Sequence, residues 1–440
     1  MNQTDSIPIN NDLNSLEDKL VFSLNPEQHD VLDQIHTHAG VLFLTGKAGT
    51  GKSTLLNIYK RLHQNNLIIL APTGVAAINV RGQTIHSFFR FPPGWIQAKD
   101  YKLISSSMVK KIDRIIIDEI SMVRADMLDH IDHILRLSTH KNIPFGGIPM
   151  LWIGDLYQLP PIVSSPEERS YFKTEYESPY FFSAHVMKEL KSFQLVELSH
   201  IFRQQDKRFI KLLNEIRLND ADHETLDEIN ERCVPIPSDQ SNVIITLTST
   251  NAAAQQINLK KLEEIDHPSK IYTAKIEGLI KPSQYPLDQH LLLKQGAQIM
   301  TMRNDPGKNF VNGSLGIIEE LKENSIIVRI ENQDKAIEIH PVIWEIIRYT
   351  MEGTEIKTDV IGSFTQLPVK LAWAVTIHKS QGKTFEHVII DLGKGAFENG
   401  QVYVALSRCK TLDGIYLTQK LSWKDIRTDE RVTEFLQQWA

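Results

Sequence analysis

The chain has 440 residues, 41% of them hydrophobic and 23% charged, with a formal net charge of -6. That length exceeds one ordinary core and implies several domains, while the mild acidity excludes a protein that wraps nucleic acid by bulk charge alone. Two widely separated cysteines, Cys233 and Cys409, exclude a disulfide framework and a cysteine zinc site, and no apolar run is long enough to span a bilayer.

Residues 1–23 begin polar and Asn-rich, without the apolar core of a signal peptide, so a mobile leader and a cytoplasmic location are expected. The stretch Leu24-Asn25-Pro26-Glu27-Gln28 follows, with Pro26 suited to the first helical position and Asn25 to its cap. The Gln28 amide can both donate and accept, so it can pair with the N6/N7 edge of adenine; a solvated helix glutamine is the plainer alternative.

Val41-Leu42-Phe43-Leu44 reads as a buried parallel strand, and Leu55, Leu56, Ile58, Tyr59 and Leu62 mark an amphipathic helix after it. Between them, residues 46–53 match G-x-x-x-x-G-K-[ST] at every fixed position. The loop Gly46, Ala48, Gly49, Thr50 and Gly51, continuing into Thr54, can curl backbone N–H groups around a triphosphate, with the helix N-terminus adding positive potential. Lys52 then reaches the β/γ-phosphates and Ser53 holds Mg²⁺. ATP and Mg²⁺ are the expected cofactors.

A second buried strand, Leu67-Ile68-Ile69-Leu70, opens into a loop containing Pro72 and Thr73 at the carboxyl edge where ligands bind in open α/β sheets. His86, Phe88 and Phe89 follow; aromatic rings there can stack on bases or pack in the core. Residues 90–111 lose the strand–helix rhythm and read as a small insertion. Ile115-Ile116-Ile117 ends in Asp118-Glu119, one acid suited to Mg²⁺ and the next to orienting and deprotonating the attacking water. Met150-Leu151-Trp152-Ile153 is a fourth strand, and Gln158 leaves it, placed to sense the γ-phosphate.

At this point the motifs become specific. Asp118-Glu119-Ile120-Ser121-Met122 joined to Gly154-Asp155-Leu156-Tyr157-Gln158-Leu159-Pro160-Pro161 resembles the Pif1 helicases, superfamily 1B motors related to RecD and Dda proteins. The stretch from Ser121 to Gly147 resembles the segment that separates Pif1 proteins from those cousins. Leu198–Gln204 is similar to motif IV, Ala372–Thr384 to motif V and Gln401–Arg408 to motif VI. The resemblance implies that Arg203 and Arg408 face the γ-phosphate, Arg408 as an arginine finger, and that Gly382 and Tyr403 border the nucleotide. It also implies that Pro72, Thr73, His86, Phe88, His378, Lys379 and Ser380 face DNA.

The second half alternates strands and helices again: Val243–Leu247, a helix capped at Thr250, then Val388–Asp391 and Ile415–Leu417. It has no phosphate loop of its own, so it can serve only as a lid. Between these elements, short strands at Gln298–Met300, Gly316–Ile318, Ile326–Ile330 and Ala336–Ile339 alternate with turn signals such as Asp305-Pro306-Gly307 and Asn312-Gly313, predicting a small antiparallel barrel.

The expected fold class is therefore α/β: two RecA-like parallel-sheet motor domains, a short 1B insertion and an SH3-like antiparallel β 2B domain. The expected boundaries are 24–200 for domain 1A, with the insertion at about 88–111; 201–274 and 366–440 for 2A; and 275–365 for 2B. The resemblance implies an ATP-dependent 5′→3′ DNA helicase, acting on single-stranded and forked or structured DNA without a membrane, and a monomer is expected. Phe89–Trp95 is the candidate wedge at the fork. The alternatives are a RecD-type subunit of a nuclease complex, an ATP-gated single-strand binding protein and a small-molecule kinase.

Overall fold

The computed structural model describes residues 24–63, 66–92, 94–163, 165–236, 243–331, 333–352 and 355–439; the leader expected over 1–23 lies outside them. The first helix, Pro26–Thr37, starts as its residues dictate. Asn25 Oδ1 accepts from the Gln28 N–H at 2.8 Å and Gln28 Oε1 accepts from the Asn25 N–H at 3.2 Å, a reciprocal cap.

Six strands build the first lobe: β1 (Val41–Gly46), β2 (Leu67–Ala71), β3 (Gln83–Thr84), β4 (Arg114–Ile117), β5 (Met150–Ile153) and β6 (Phe193–Leu198). All pair in parallel, in the order β3-β2-β4-β5-β1-β6. β1, β4 and β5 are buried throughout, as both faces of a helix-covered parallel sheet require. Because β5 lies between β4 and β1, the phosphate loop, the Asp118-Glu119 pair and the Gly154-Asp155 turn emerge side by side at one carboxyl edge.

The second lobe begins with β7 (Ile245–Thr248), followed by the helix Asn251–Glu263, whose Thr250 hydroxyl accepts from the Ala253 N–H at 3.2 Å. The chain then leaves through ten antiparallel strands: β8 (Ser269–Thr273), β9 (Lys275–Gly278), β10 (His290–Lys294), β11 (Gln298–Thr301), β12 (Leu315–Leu321), β13 (Ile326–Ile330), β14 (Ile337–Ile339), β15 (Val342–Glu352), β16 (Glu355–Gln366) and β17 (Val369–Leu371). It returns with β18 (Ala374–Thr376), β19 (Val388–Asp391) and β20 (Ile415–Leu417), which complete a parallel sheet ordered β18-β7-β19-β20. The antiparallel strands form a five-stranded sheet, β14-β13-β12-β11-β17, and smaller β10-β8 and β15-β16-β9 sheets. Ile299, Ile326, Val328 and Leu367 centre a separate core there. Two parallel-sheet lobes plus an antiparallel β domain are the expected fold class.

The long β15–β16 hairpin was not signalled by the sequence, and it reaches the first lobe. β3 spans only two residues and leaves the Ile69 N–H of β2 without a ladder acceptor; the Tyr349 hydroxyl supplies one at 3.0 Å. Beside it the Gln83 amide donates to the Ile347 carbonyl at 2.7 Å, and Phe88 meets the Tyr349 ring edge-on at 5.9 Å. The last helix, Glu430–Trp439, also lies on the first lobe: Phe435 stacks on Phe182 at 4.6 Å and Trp439 meets Phe193 at 4.7 Å. In the insertion, Phe89 and Phe91 are buried in the core rather than presented as a wedge. Trp95, 44% exposed and edge-on to Tyr171, is the aromatic side chain the stretch offers to solvent.

Candidate active site

The glycine loop ends at Gly51, and the helix Lys52–Leu62 starts directly from it, so its free amides point into the loop. Gly49 has φ +86°, and a Cβ there would fall 2.5 Å from Arg203 Cβ. The Phe202 N–H donates to the Gly49 carbonyl at 2.9 Å. Segment 202–203 therefore rests directly on the loop, and only glycine permits both the backbone turn and that approach. The Lys52 ammonium folds back onto the loop, donating to the Gly46 carbonyl at 2.6 Å and the Lys47 carbonyl at 3.0 Å. Burial lowers its pKa, against the opposing charges of Asp155 and Glu119.

A cavity of about 610 Å³ opens over this loop. Ala48, Gly49, Thr50, Gly51, Ser53 and Thr54 form its floor; Glu119 and Gln158 face it from the first lobe, and Arg203, Gly382 and Arg408 close it from the opposite side. Asp118 lies behind Glu119, buried. Burial, then the charge of Glu119, pushes the Asp118 carboxyl up to about 7, and burial likewise raises Glu119. Two buried carboxyls that resist joint ionisation are what a divalent cation would neutralise, so the donor set of Ser53 and Asp118 fits Mg²⁺.

Arg408 is 1% exposed. Its guanidinium donates to the Val404 carbonyl at 2.9 Å, the Ser407 hydroxyl at 2.8 Å and the Lys383 carbonyl at 3.4 Å. None of these is a carboxylate, and burial followed by the Arg203 charge lowers its pKa to about 9. Arg203 donates to the Ser407 carbonyl at 3.3 Å, and burial lowers its pKa too. Two crowded guanidinium groups facing a phosphate loop form a site short of negative charge.

Sequence reasoning left Asp155 and Arg217 without roles, yet they anchor a network across the cleft. The Tyr403 hydroxyl accepts from the Ala48 N–H of the loop at 3.0 Å and approaches Asp155 Oδ2 at 3.5 Å. Asp155 also accepts from the Gln158 amide at 3.1 Å, and Arg217 stands 3.7 Å from it, over the Tyr157 ring at 4.1 Å. The Gln381 amide donates to Gln158 Oε1 at 3.2 Å, so Gln158 is held from both lobes. Gln28 is buried at the cavity wall rather than solvated. Its Oε1 is engaged in the helix cap, and its Nε2 is directed at Gly51. Phe202, 50% exposed, lines the same end of the cavity and offers a ring face to a base, another feature the sequence did not single out.

The residues expected to face DNA fare unevenly. Thr73 caps the helix Gly74–Asn79 by accepting from the Ala76 N–H at 3.2 Å, leaving Pro72 half-buried beside it. His86 is half-buried, and burial lowers its pKa. Phe88 is engaged by Phe89 and Tyr349. Lys379 is exposed, and His378 lies 3.2 Å from Glu398. Ser380 is fully buried and donates to the Ile377 carbonyl at 2.7 Å, so its hydroxyl braces the turn instead of meeting a ligand.

The PIF1-like helicase family description matches residues 23–227. The chain is 32% identical to the ATP-dependent DNA helicase Pif1 of Bdellovibrio bacteriovorus, over 95% of this chain and 92% of that protein. It spans between 62% and 64% of the length of the matched frog, fungal and human PIF1 helicases. Among solved structures, Bacteroides sp. Pif1 in complex with ADP-AlF4 superposes with a TM-score of 0.87 at 38% identity, covering 94% of this chain and 97% of that one. Bacteroides Pif1 bound to ssDNA gives 0.68, also at 38% identity, covering 94% and 96%. Among the described residues no helix is long and apolar enough to cross a membrane.

Proposed function

The chain belongs to the Pif1 family of ATP-dependent DNA helicases, and on that premise we propose that it moves 5′→3′ along single-stranded DNA and unwinds forked or structured duplexes ahead of it. The observation that carries this reading is the cleft. One lobe supplies a phosphate loop and paired acids; the other brings Arg203 and Arg408 to the same cavity. In this reading residues 24–200 act as the nucleotide-holding motor domain, 201–274 with 366–440 as the second, and 275–365 as the inserted antiparallel domain.

ATP sits with its phosphates on the loop amides and its base between Gln28 and Phe202. Ser53 and Asp118 would hold Mg²⁺, which would supply neutralising charge for the phosphates. Lys52 leaves the loop carbonyls for the phosphates. Glu119 takes a proton from the attacking water, Gln158 orients it, and Arg408, seconded by Arg203, offsets the charge that develops on the transferring phosphoryl group. An arginine supplied this way is typically worth 10³–10⁵ in rate.

Hydrolysis followed by release of phosphate removes the anion that Arg203 and Arg408 contact from the second lobe, which weakens the hold between the lobes. If Pro72, Thr73, His86 and Phe88 grip the strand from one lobe, and His378 and Lys379 from the other, alternate gripping turns each cycle into a step. A single copy contains every residue of the ATP site, so a monomer suffices for hydrolysis. The deciding assay is strand displacement from duplexes bearing only a 5′ or only a 3′ tail, with ATP and Mg²⁺. Displacement confined to the 5′-tailed substrate is expected; displacement confined to the 3′-tailed one would reverse the assigned polarity.

A further inference from the structure

A second cavity, of about 430 Å³, opens at the amino edge of the first parallel sheet, across the lobe from the nucleotide. Four elements begin or end there. Leu67 starts β2 and Arg114 starts β4, while His36 lies in the last turn of the helix Pro26–Thr37 and His63 caps the helix Lys52–Leu62. Parallel strands all start on one edge, so this cavity faces away from the glycine loop, although the helix that ends at it carries Lys52 at its other end.

The fixed cation of the lining is Arg114, 5% exposed. Its Nη2 donates to the His38 carbonyl at 2.7 Å, whereas Nη1 is buried with no acceptor among the described residues. Burial raises the pKa of the neighbouring Tyr59 phenol, and the Arg114 charge and a hydrogen bond from it pull in the other direction. Along the wall His63 stacks on His36 with ring centroids 4.7 Å apart and meets the Tyr59 ring at 4.5 Å. The one acid of the lining, Asp113, is exposed and makes no ion pair with Arg114.

A cation at the ends of two helices complements their dipoles, and the tie to the His38 carbonyl gives Arg114 that structural use. One donor serves it. The other arm of the fork is a desolvated donor left unmatched, a cost that an acceptor inside the cavity would remove. Guanidinium N–H groups pair well with phosphate oxygens, and imidazole and phenol groups supply further donors. The volume falls in the range of small-molecule sites and leaves room beside a phosphate for a body resting on the rings, Leu62 and Leu67.

We propose that this cavity is a second ligand site, which binds the phosphate group of a small phosphorylated molecule through Arg114 Nη1 and the His63 imidazole. The site does not depend on DNA or on the direction of movement, so its failure leaves the reading above untouched.

The test is equilibrium dialysis of radiolabelled inorganic phosphate against the full chain, with a non-hydrolysable ATP analogue and Mg²⁺ saturating the cavity over the glycine loop. One further equivalent of phosphate is expected to bind, displaced by sulfate and not by acetate. Arg114→Lys keeps a cation for the His38 carbonyl but loses the second arm, and should weaken binding roughly tenfold with little change in melting. His63→Phe keeps a ring between His36 and Tyr59 and should weaken it roughly threefold. Asp113→Asn removes a repelling charge from the rim and should tighten it about two- to threefold, a gain that a merely structural role would not produce. AMP and ribose 5-phosphate as competitors separate two sources of the phosphate: a tighter AMP identifies a nucleotide stacked on the rings, and equal potency a sugar phosphate held by its phosphate alone. No uptake beyond the filled nucleotide site at about 10 mM phosphate would overturn the proposal, as would equal competition by acetate. Should Arg114→Lys fail to fold, His63→Phe and Asp113→Asn decide by moving affinity in opposite directions, and wild-type affinity in both refutes the site.

Discussion

Arg408 places stability and activity in opposition, and Arg408→Met separates them. Burial and the Arg203 charge draw this guanidinium well below the usual guanidinium range, to about 9. At about 1.4 kcal/mol per factor of ten, that corresponds to roughly 5 kcal/mol of destabilisation of the charged form in the nucleotide-free fold. The penalty is fully present below pH 9 and is relieved only as pH rises beyond it. Methionine removes the charge and keeps much of the volume. The Val404 carbonyl keeps the Ser407 hydroxyl at 3.0 Å as a donor, so the Lys383 carbonyl is the acceptor that loses most. Allowing about 1–3 kcal/mol for the lost hydrogen bonds leaves a net gain of roughly 2–4 kcal/mol. Thermal melting without nucleotide should therefore rise by several degrees. ATP turnover should fall about 10³-fold or more, and the added stabilisation from a non-hydrolysable ATP analogue should shrink. A variant that melts below wild type without nucleotide would refute the claim that Arg408 is held there at a cost, and unchanged turnover would refute the finger.

The raised carboxyls set the pH response of hydrolysis. With its pKa at about 7, Asp118 holds a proton under mildly acidic conditions, and burial shifts Glu119 in the same direction, so kcat/KM for ATP should climb as pH rises through about 7 and then level; a flat profile there would argue against an acid pair as base and metal site. Glu119→Gln should still bind ATP and DNA while losing turnover, and persistent hydrolysis would move the base elsewhere. Tyr403→Phe removes the acceptor of the Ala48 N–H and should destabilise the nucleotide-free form by about 1–3 kcal/mol, less once an ATP analogue occupies the loop; an equal loss in both states would mean the hydroxyl has no part in loading. Tyr349→Phe strands the Ile69 amide, and hydrogen exchange there should accelerate by about 10-fold or more if the hairpin contact lapses, whereas unchanged exchange would show that the ring alone holds it.

What could be read in the chain was what is local. The phosphate loop, the acids after β4 and the caps at Asn25 and Thr250 each depend on residues within a few positions of one another, and period and turn chemistry report such features directly. The cross-cleft network did not announce itself, because Asp155, Arg217 and Tyr403 are far apart in sequence and meet only when two lobes close. Burial misled in both directions: Phe89 and Phe91 looked available to DNA and are core, while Gln28 looked solvated as an alternative and is walled in. Ser380 sits among residues of a DNA-facing motif, yet the turn consumes its hydroxyl. The β15–β16 hairpin was missed because much of it is exposed, so its strands lack the sustained apolar face that marks a half-buried sheet, and residues 353–354 at its tip lie outside those described.

The last helix gives the two motor lobes a second attachment. Besides the covalent crossing near residue 200, the stack of Phe435 on Phe182 and the contact of Trp439 with Phe193 pin the chain's end to the lobe it began in. These ring contacts lie away from the ties that cross the cleft itself, Tyr403 to Ala48 and Gln381 to Gln158, so parting Arg408 from the glycine loop need break only the latter while the chain's end stays moored.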